Sequence, residues 1–256
     1  MTAVPRILRI LLPILLLSLV SACRSKKPLA SVPDPRWAVI DSLAGIGQYA
    51  TALERTDVLL NEAKAANDWR TEFKAWMRRA GFQELTGIDQ DSIINPMDRR
   101  AAEAGMPLSQ LLRTTLMDRW WQRYQYNRWQ IMERTELDGS FDAADPETWT
   151  QGRYIERVIR EARASLEPFN ELRNIPVDEL GDLLGGDSAA RYLRPTLYDV
   201  LAQRALRIFS NTETRLAEPS WRFTLNDPKD FELFEPFLFR PLEHRDSTAW
   251  EFQSMR

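Results

Sequence analysis

The chain has 256 residues, with 34 basic and 37 acidic side chains and a net charge of −3. That mild acidity argues against nucleic acid as a partner, because such binding rests on basic patches. The single cysteine excludes a disulfide framework or a thiolate metal cage, and the ten glycines argue against a β-sandwich or barrel.

The first 22 residues have three parts. Arg6 and Arg9 form a positive n-region, Ile10 to Val20 an apolar h-region interrupted by Pro13, and Ser21 and Ala22 a small-residue end. This is the pattern of a secretory signal over residues 1–22. The run from Ile7 to Ala22 contains Arg9 and Pro13. It is also shorter than the roughly 20 apolar residues a spanning helix needs. Val20-Ser21-Ala22-Cys23 resembles the lipobox of bacterial lipoproteins. The resemblance implies cleavage between Ala22 and Cys23, a diacylglycerol on the Cys23 thiol, and often acylation of the new amine. Each buried methylene contributes about 0.8 kcal/mol, and one acyl chain alone anchors only marginally.

Cleavage there would remove Arg6 and Arg9 and take the net charge from −3 to −5. Residue 24 is arginine rather than aspartate, so the inner-membrane retention signal of that family is missing. The acidic flank that directs some lipoproteins to the cell surface is missing too. The expected location is the outer membrane, facing the periplasm. Residues 23–35, with Pro28, Pro33 and Pro35, read as a lipidated tether.

Residues 36–256 read as a helical domain. Trp37, Ile40 and Ala44, then Tyr49, Ala52, Leu53, Leu59, Leu60 and Ala63, recur at helical spacing. Gly45 and Gly47 fit a turn between the two runs. Asp68 can cap a third helix with Trp69, Phe73, Trp76, Met77 and Ala80 on its apolar face, and Gly87 ends it. Gly47 to Glu54 resembles the second helix of a tetratricopeptide repeat: a glycine, an aromatic two residues on, and a small alanine three further. No regular 34-residue period accompanies it. The expected fold is therefore all-α, with irregular tetratricopeptide-like hairpins arranged as a solenoid.

Pro107 is expected to open the longest helix, Leu108 to about Arg134. Leu112, Leu116, Trp120 and Tyr124 step by four along one face, and Trp121, Trp129 and Met132 would widen the stripe. A turn-rich loop follows from Asp138 to Pro146. The next helix runs from Trp149 to Leu166, with Tyr154, Ile155, Val158, Ile159 and Ala162 inward. Val177 to Leu184 is a short apolar turn. Pro195-Thr196 starts a strongly apolar helix that should sit centrally. After Pro219 the chain, Ser220 to Asp246, becomes proline- and phenylalanine-rich, which suits an extended segment wrapping a helical surface. Asp246-Ser247-Thr248 can cap a last helix that the chain end cuts short, so the domain is expected to continue beyond Arg256.

Few residues suggest chemistry. His244 is the one histidine and has no second histidine or cysteine ligand beside it, so it reads as a solvated loop residue. Glu133 and Glu136 beside Arg134 read as a charged surface. Trp120, Trp121, Trp129 and Trp149 could form a sugar platform but more simply belong to the core. No catalytic, metal or cofactor-binding residue stands out, and the chain does not read as an enzyme.

Three stretches carry a wider resemblance: ALERTDVLLNEAKAANDWRTEFKAWMRRAGFQELTG, WWQRYQYNRWQI, and RPTLYDVLAQRALRIFSNTETRLAEPSWRFTL. Together they resemble the amino-terminal helical region of large bacterial alpha-2-macroglobulin-like lipoproteins. Arg194 to Ala202 is the most specific block. The resemblance implies a protease trap whose bait region, β-sandwich domains and, in some members, thioester lie in residues not present here. It implies for this segment a non-catalytic scaffold between membrane and trap. The partners would be membrane lipid through Cys23, proteases through the downstream domains, and a protein on the helical groove. Two other readings are a stand-alone tetratricopeptide-like adaptor and a glycan-binding lipoprotein.

Overall fold

The computed structural model describes residues 34–134, 144–183 and 188–214. The chain divides into two compact units, Met1–Ala38 and Val39–Arg256. Pro35 turns the chain into helix α1 (Arg36–Gly45), which starts in the first unit and runs on into the second. The Asp34 carboxylate accepts bonds from the Arg36 side chain (Nη2, 2.7 Å) and backbone N–H (2.9 Å). These bonds hold Asp34 below the usual carboxylate range.

In the second unit the chain turns at Gly47, whose φ of 77° lies in the left-handed region, and enters α2 (Tyr49–Ala66). Ala52, Leu59, Leu60 and Ala63 are buried, as their spacing predicts. Asn67, also left-handed at φ 54°, ends α2, and the Asp68 N–H bonds back to the Ala63 carbonyl at 2.9 Å. Asp68 then starts α3 (Trp69–Leu85) by accepting the Thr71 N–H at 3.2 Å. Two residues thus stop one helix and cap the next. The two helices pack along their lengths as a hairpin.

The sequence reading assigns nothing between Gly87 and Pro107. The structure places a helix there, α4 (Gln90–Glu103), with Ile93, Ile94, Met97 and Ala101 buried. Pro96 inside it conceals the pattern, since proline removes an interior hydrogen bond. The cap compensates: Asp89 accepts from the Ser92 N–H (2.9 Å) and hydroxyl (2.6 Å), which also lowers its pKa.

Helix α5 (Leu108–Tyr126) is the centre of the fold and packs against both α3 and α4. Leu112, Leu116, Trp120 and Tyr124 are all buried along it, as expected. The expected continuation to Arg134 is corrected. The helix breaks at Asn127 and a five-residue helix, α6 (Arg128–Met132), follows. The break changes which side chains face inward. Ile131 takes the buried position, while Trp129 and Met132, expected in the core, are 77% and 50% exposed.

A 3₁₀ turn (Pro146–Thr148) leads to α7 (Gln151–Ser165), which packs along α5 with Tyr154, Ile155, Val158 and Ala162 buried. Helix α8 (Phe169–Arg173) and a 3₁₀ segment (Val177–Leu183) follow. Helix α9 (Leu197–Phe209) packs on α7, α8 and α5, with Leu197, Leu201, Ala205, Ile208 and Phe209 buried and Tyr198, Val200 and Leu206 half-buried. Its start is doubly fixed. The Val177 N–H bonds the Pro195 carbonyl and the Leu197 N–H the Ile175 carbonyl, both at 2.8 Å. Thr196 and Asp199 then form a reciprocal capping box.

The fold is all-α; the only β pairing among the described residues is the Pro176–Thr196 bridge. No helix among them is long and apolar enough to cross a membrane. The signal segment, residues 23–33 of the tether, the Pro/Phe-rich segment and the expected last helix lie outside the described residues.

The capping box predicts that Thr196→Ala lowers stability by about 1 kcal/mol in urea unfolding, with Thr196→Ser losing much less. Equal stability of Thr196→Ala and the parent would contradict that role.

Candidate functional site

Helices α2, α3 and α4 enclose an open cleft of about 410 Å³. That is within the roughly 300–1,000 Å³ range of ligand pockets. Its floor is built on Glu72, a side chain only 1% exposed on the inner face of α3. Glu72 lies one helical turn before Trp76 and so falls on the apolar stripe. Its carboxylate accepts Nε (2.5 Å) and Nη2 (2.9 Å) of Arg100 on α4, and the Trp76 indole N–H at 3.4 Å. The two-pronged bond fixes the plane of the guanidinium. It also raises the Arg100 pKa further above its ordinary value.

The cleft wall continues with Arg79 of α3. Its Nε donates to Asp57 of α2 at 2.9 Å and its Nη1 to Gln83 at 2.9 Å. The guanidinium carbon stands 5.6 Å from the centre of the Trp76 ring. Lys64, Arg99 and Glu103 stand exposed at the rim. Lys64 and Arg99 form no ion pair among the described residues.

Two further charged nodes tie the central helix. Glu161 of α7 is 2% exposed and accepts Arg113 of α5 and Arg157 of its own helix, each at 3.1 Å. Arg157 also donates to Asp98 of α4 at 2.7 Å. Arg123 of α5, with a side chain 4% exposed, donates to Asp91 and Glu147, both at 2.6 Å. Burial works against the Arg123 charge, and those two bonds more than offset it, so its pKa lies above the ordinary arginine value.

Beside Arg123 is an aromatic cluster. Trp120 stacks on Trp149 at 5.1 Å, and Tyr154 packs on both. Arg123 and Arg157 each approach the Trp120 ring, at 5.6 and 5.3 Å. Burial raises the pKa of Tyr154, and likewise that of Tyr124. Burial also raises Asp118 of α5, with Arg204 and Arg207 of α9 opposing the shift.

No family model, curated protein or solved structure matches the chain.

Ala22 and Cys23 lie outside the described residues, as do Glu136 and His244. Glu133 is exposed. Of the four tryptophans considered for a sugar platform, Trp120 is buried, Trp121 and Trp149 are half-buried, and only Trp129 stands out in solvent. The four therefore form no continuous exposed platform. The described residues hold no group of three or more His, Cys, Asp or Glu side chains suited to a metal ion. Sequence reasoning missed Glu72, Arg100, Glu161 and Arg123. The available signal was a charged residue occupying an apolar-stripe position, as Glu161 does three residues after Val158.

Truncating Glu72 would leave the mostly buried Arg100 without its counter-charge. Glu72→Ala should destabilise the fold by about 3 kcal/mol, in the range for breaking a buried pair. Chemical unfolding of Glu72→Ala beside Asp57→Ala, which removes a more exposed pair, tests this. Similar small losses in both variants would show that the buried pair adds nothing.

Proposed function

We propose that this chain is a membrane-tethered helical scaffold, the amino-terminal part of an alpha-2-macroglobulin-like protease-trapping lipoprotein, and non-catalytic by itself. One observation supports this reading above the others. Each of the stretches that carry the resemblance contributes residues that form joints of the fold. Thr196, Leu197 and Asp199 of the most specific block form the bridge and capping box that start α9. In the WWQRYQYNRWQI stretch, Trp120, Arg123 and Tyr124 lie buried at the core end of α5. In ALERTDVLLNEAKAANDWRTEFKAWMRRAGFQELTG, Asn67 and Asp68 make the α2–α3 junction and Glu72 the buried ion pair.

In this reading α2 is the second helix of a degenerate tetratricopeptide-like unit. Acylation of Cys23 holds the scaffold to the periplasmic face of the outer membrane, and residues 23–35 give it reach. Downstream domains carry the trap. The surface of paired charges suits a body that stays rigid beside a membrane, because the buried pairs fix helix against helix. A stand-alone adaptor using the same cleft is the rival reading, and the reading frame separates the two. Continuation past codon 256 into β-rich repeats supports the trap; a stop directly after Arg256 removes it.

The tether has its own test. The parent chain, expressed in a bacterium that acylates lipoproteins, should sediment with the outer membrane and incorporate labelled palmitate. Cys23→Ser should lose the label and move to the soluble periplasmic fraction. A parent that takes no label, or a variant that stays with the membrane, would contradict lipidation at Cys23.

A further inference from the structure

The cleft between α2, α3 and α4 has a property that a merely structural ion-pair cluster lacks: its positive charge is not fully used. Four cations line it, Lys64, Arg79, Arg99 and Arg100, against three anions, Asp57, Glu72 and Glu103. Glu72 is consumed by Arg100 at the floor and Asp57 by Arg79 on the wall. That leaves Lys64 from α2 and Arg99 from α4 facing the one remaining carboxylate, Glu103. The two come from different helices, so the cleft carries its free charge on both banks.

The floor is preorganised. The Glu72 carboxylate takes the Nε and Nη2 donors of Arg100, so the Nη1 amino group lies outside that fork. Arg79 likewise uses Nε and Nη1 and retains Nη2. Guanidinium groups held this way lose little conformational freedom when an anion arrives. Trp76 and Leu60 add apolar surface to the lining.

We propose that this cleft receives the carboxylate side chains of an acidic peptide segment on a partner protein. A peptide suits the cleft better than a compact inorganic anion. Its negative charges are single and spaced, which matches cations on two separate helices. Its backbone N–H groups can donate to Glu103 and to the Asn61 side chain on the same rim, whereas a dense anion would be repelled by Glu103. The proposal rests on the reading of the chain as a non-catalytic scaffold, but not on its lipid tether or on a downstream trap.

The test uses the 256-residue chain and a fluorescently labelled oligoglutamate peptide, followed by anisotropy at low ionic strength. The partner variant is Lys64→Glu/Arg99→Glu, both exposed positions outside the buried pairs, with circular dichroism confirming an unchanged helical spectrum. The parent should bind, and the variant should bind at least about tenfold more weakly. The difference should shrink toward 1 M salt, where the Debye length falls to about 3 Å. The neutral variant Lys64→Gln/Arg99→Gln should fall between the two. Equal binding by the parent and both variants would overturn the proposal, as would no binding by the parent. Displacement of the peptide by inorganic phosphate at similar concentration would also overturn it, in favour of a small-anion site. Loss of the cleft's binding leaves membrane retention through Cys23 untouched, so the two readings fail separately.

Discussion

Two buried carboxylates, Glu72 and Glu161, set the geometry of this fold. Each has a side chain almost wholly removed from water, and each accepts an arginine from a different helix. A carboxylate in such a place is costly unless paired and fully hydrogen-bonded. Its helix can therefore sit in only one register against its neighbour. Glu72 aligns α3 with α4 through Arg100. Glu161 aligns α7 with α5 through Arg113, and its second partner, Arg157, reaches Asp98 on α4. The central helix is thus fixed by charge as well as by its stripe of Leu112, Leu116, Trp120 and Tyr124. Apolar packing alone tolerates rotation and sliding of helices; directed ion pairs do not.

The same economy explains the cleft. The cleft is lined by residues of α2, α3 and α4, and the Glu72–Arg100 pair that joins α3 to α4 is among them. The binding proposed there would be a by-product of how the helices are braced. Cations that brace the fold and cations that remain free lie within one concave surface. A structural element can in this way carry a recognition function without a dedicated domain.

Much of the architecture is legible in the sequence, and the reasons differ by element. Helices α2, α3, α5 and α7 announce themselves by apolar spacing, and Asp68 and Thr196 by cap chemistry. Helix α4 is not legible because Pro96 interrupts its pattern, while its stability comes from the Asp89 cap and from burial of Ile93, Ile94 and Met97. The break at Asn127 is equally hidden. The apolar residues continue past it, and only the tertiary packing decides that Ile131 turns inward and Trp129 outward. The cleft is less legible still. Lys64, Arg79 and Arg100 look like ordinary surface charges in a helical chain, and their convergence depends on packing that spacing within one helix cannot report. The proposed lipidation has the opposite character: it rests on a short local signal, Val20 to Cys23, and not on the fold.

The central claim is that cross-helix ion pairs fix the helical framework, and a double-mutant cycle on Glu161 and Arg113 tests it most directly. Stability is measured by urea unfolding for the parent, Glu161→Gln, Arg113→Gln and the double variant. The account predicts a coupling energy of about 1.5–3 kcal/mol, the range for hydrogen bonds to charged groups. Additivity of the two single changes, to within about 0.5 kcal/mol, would show that the pair decorates the interface between α5 and α7 and does not hold it.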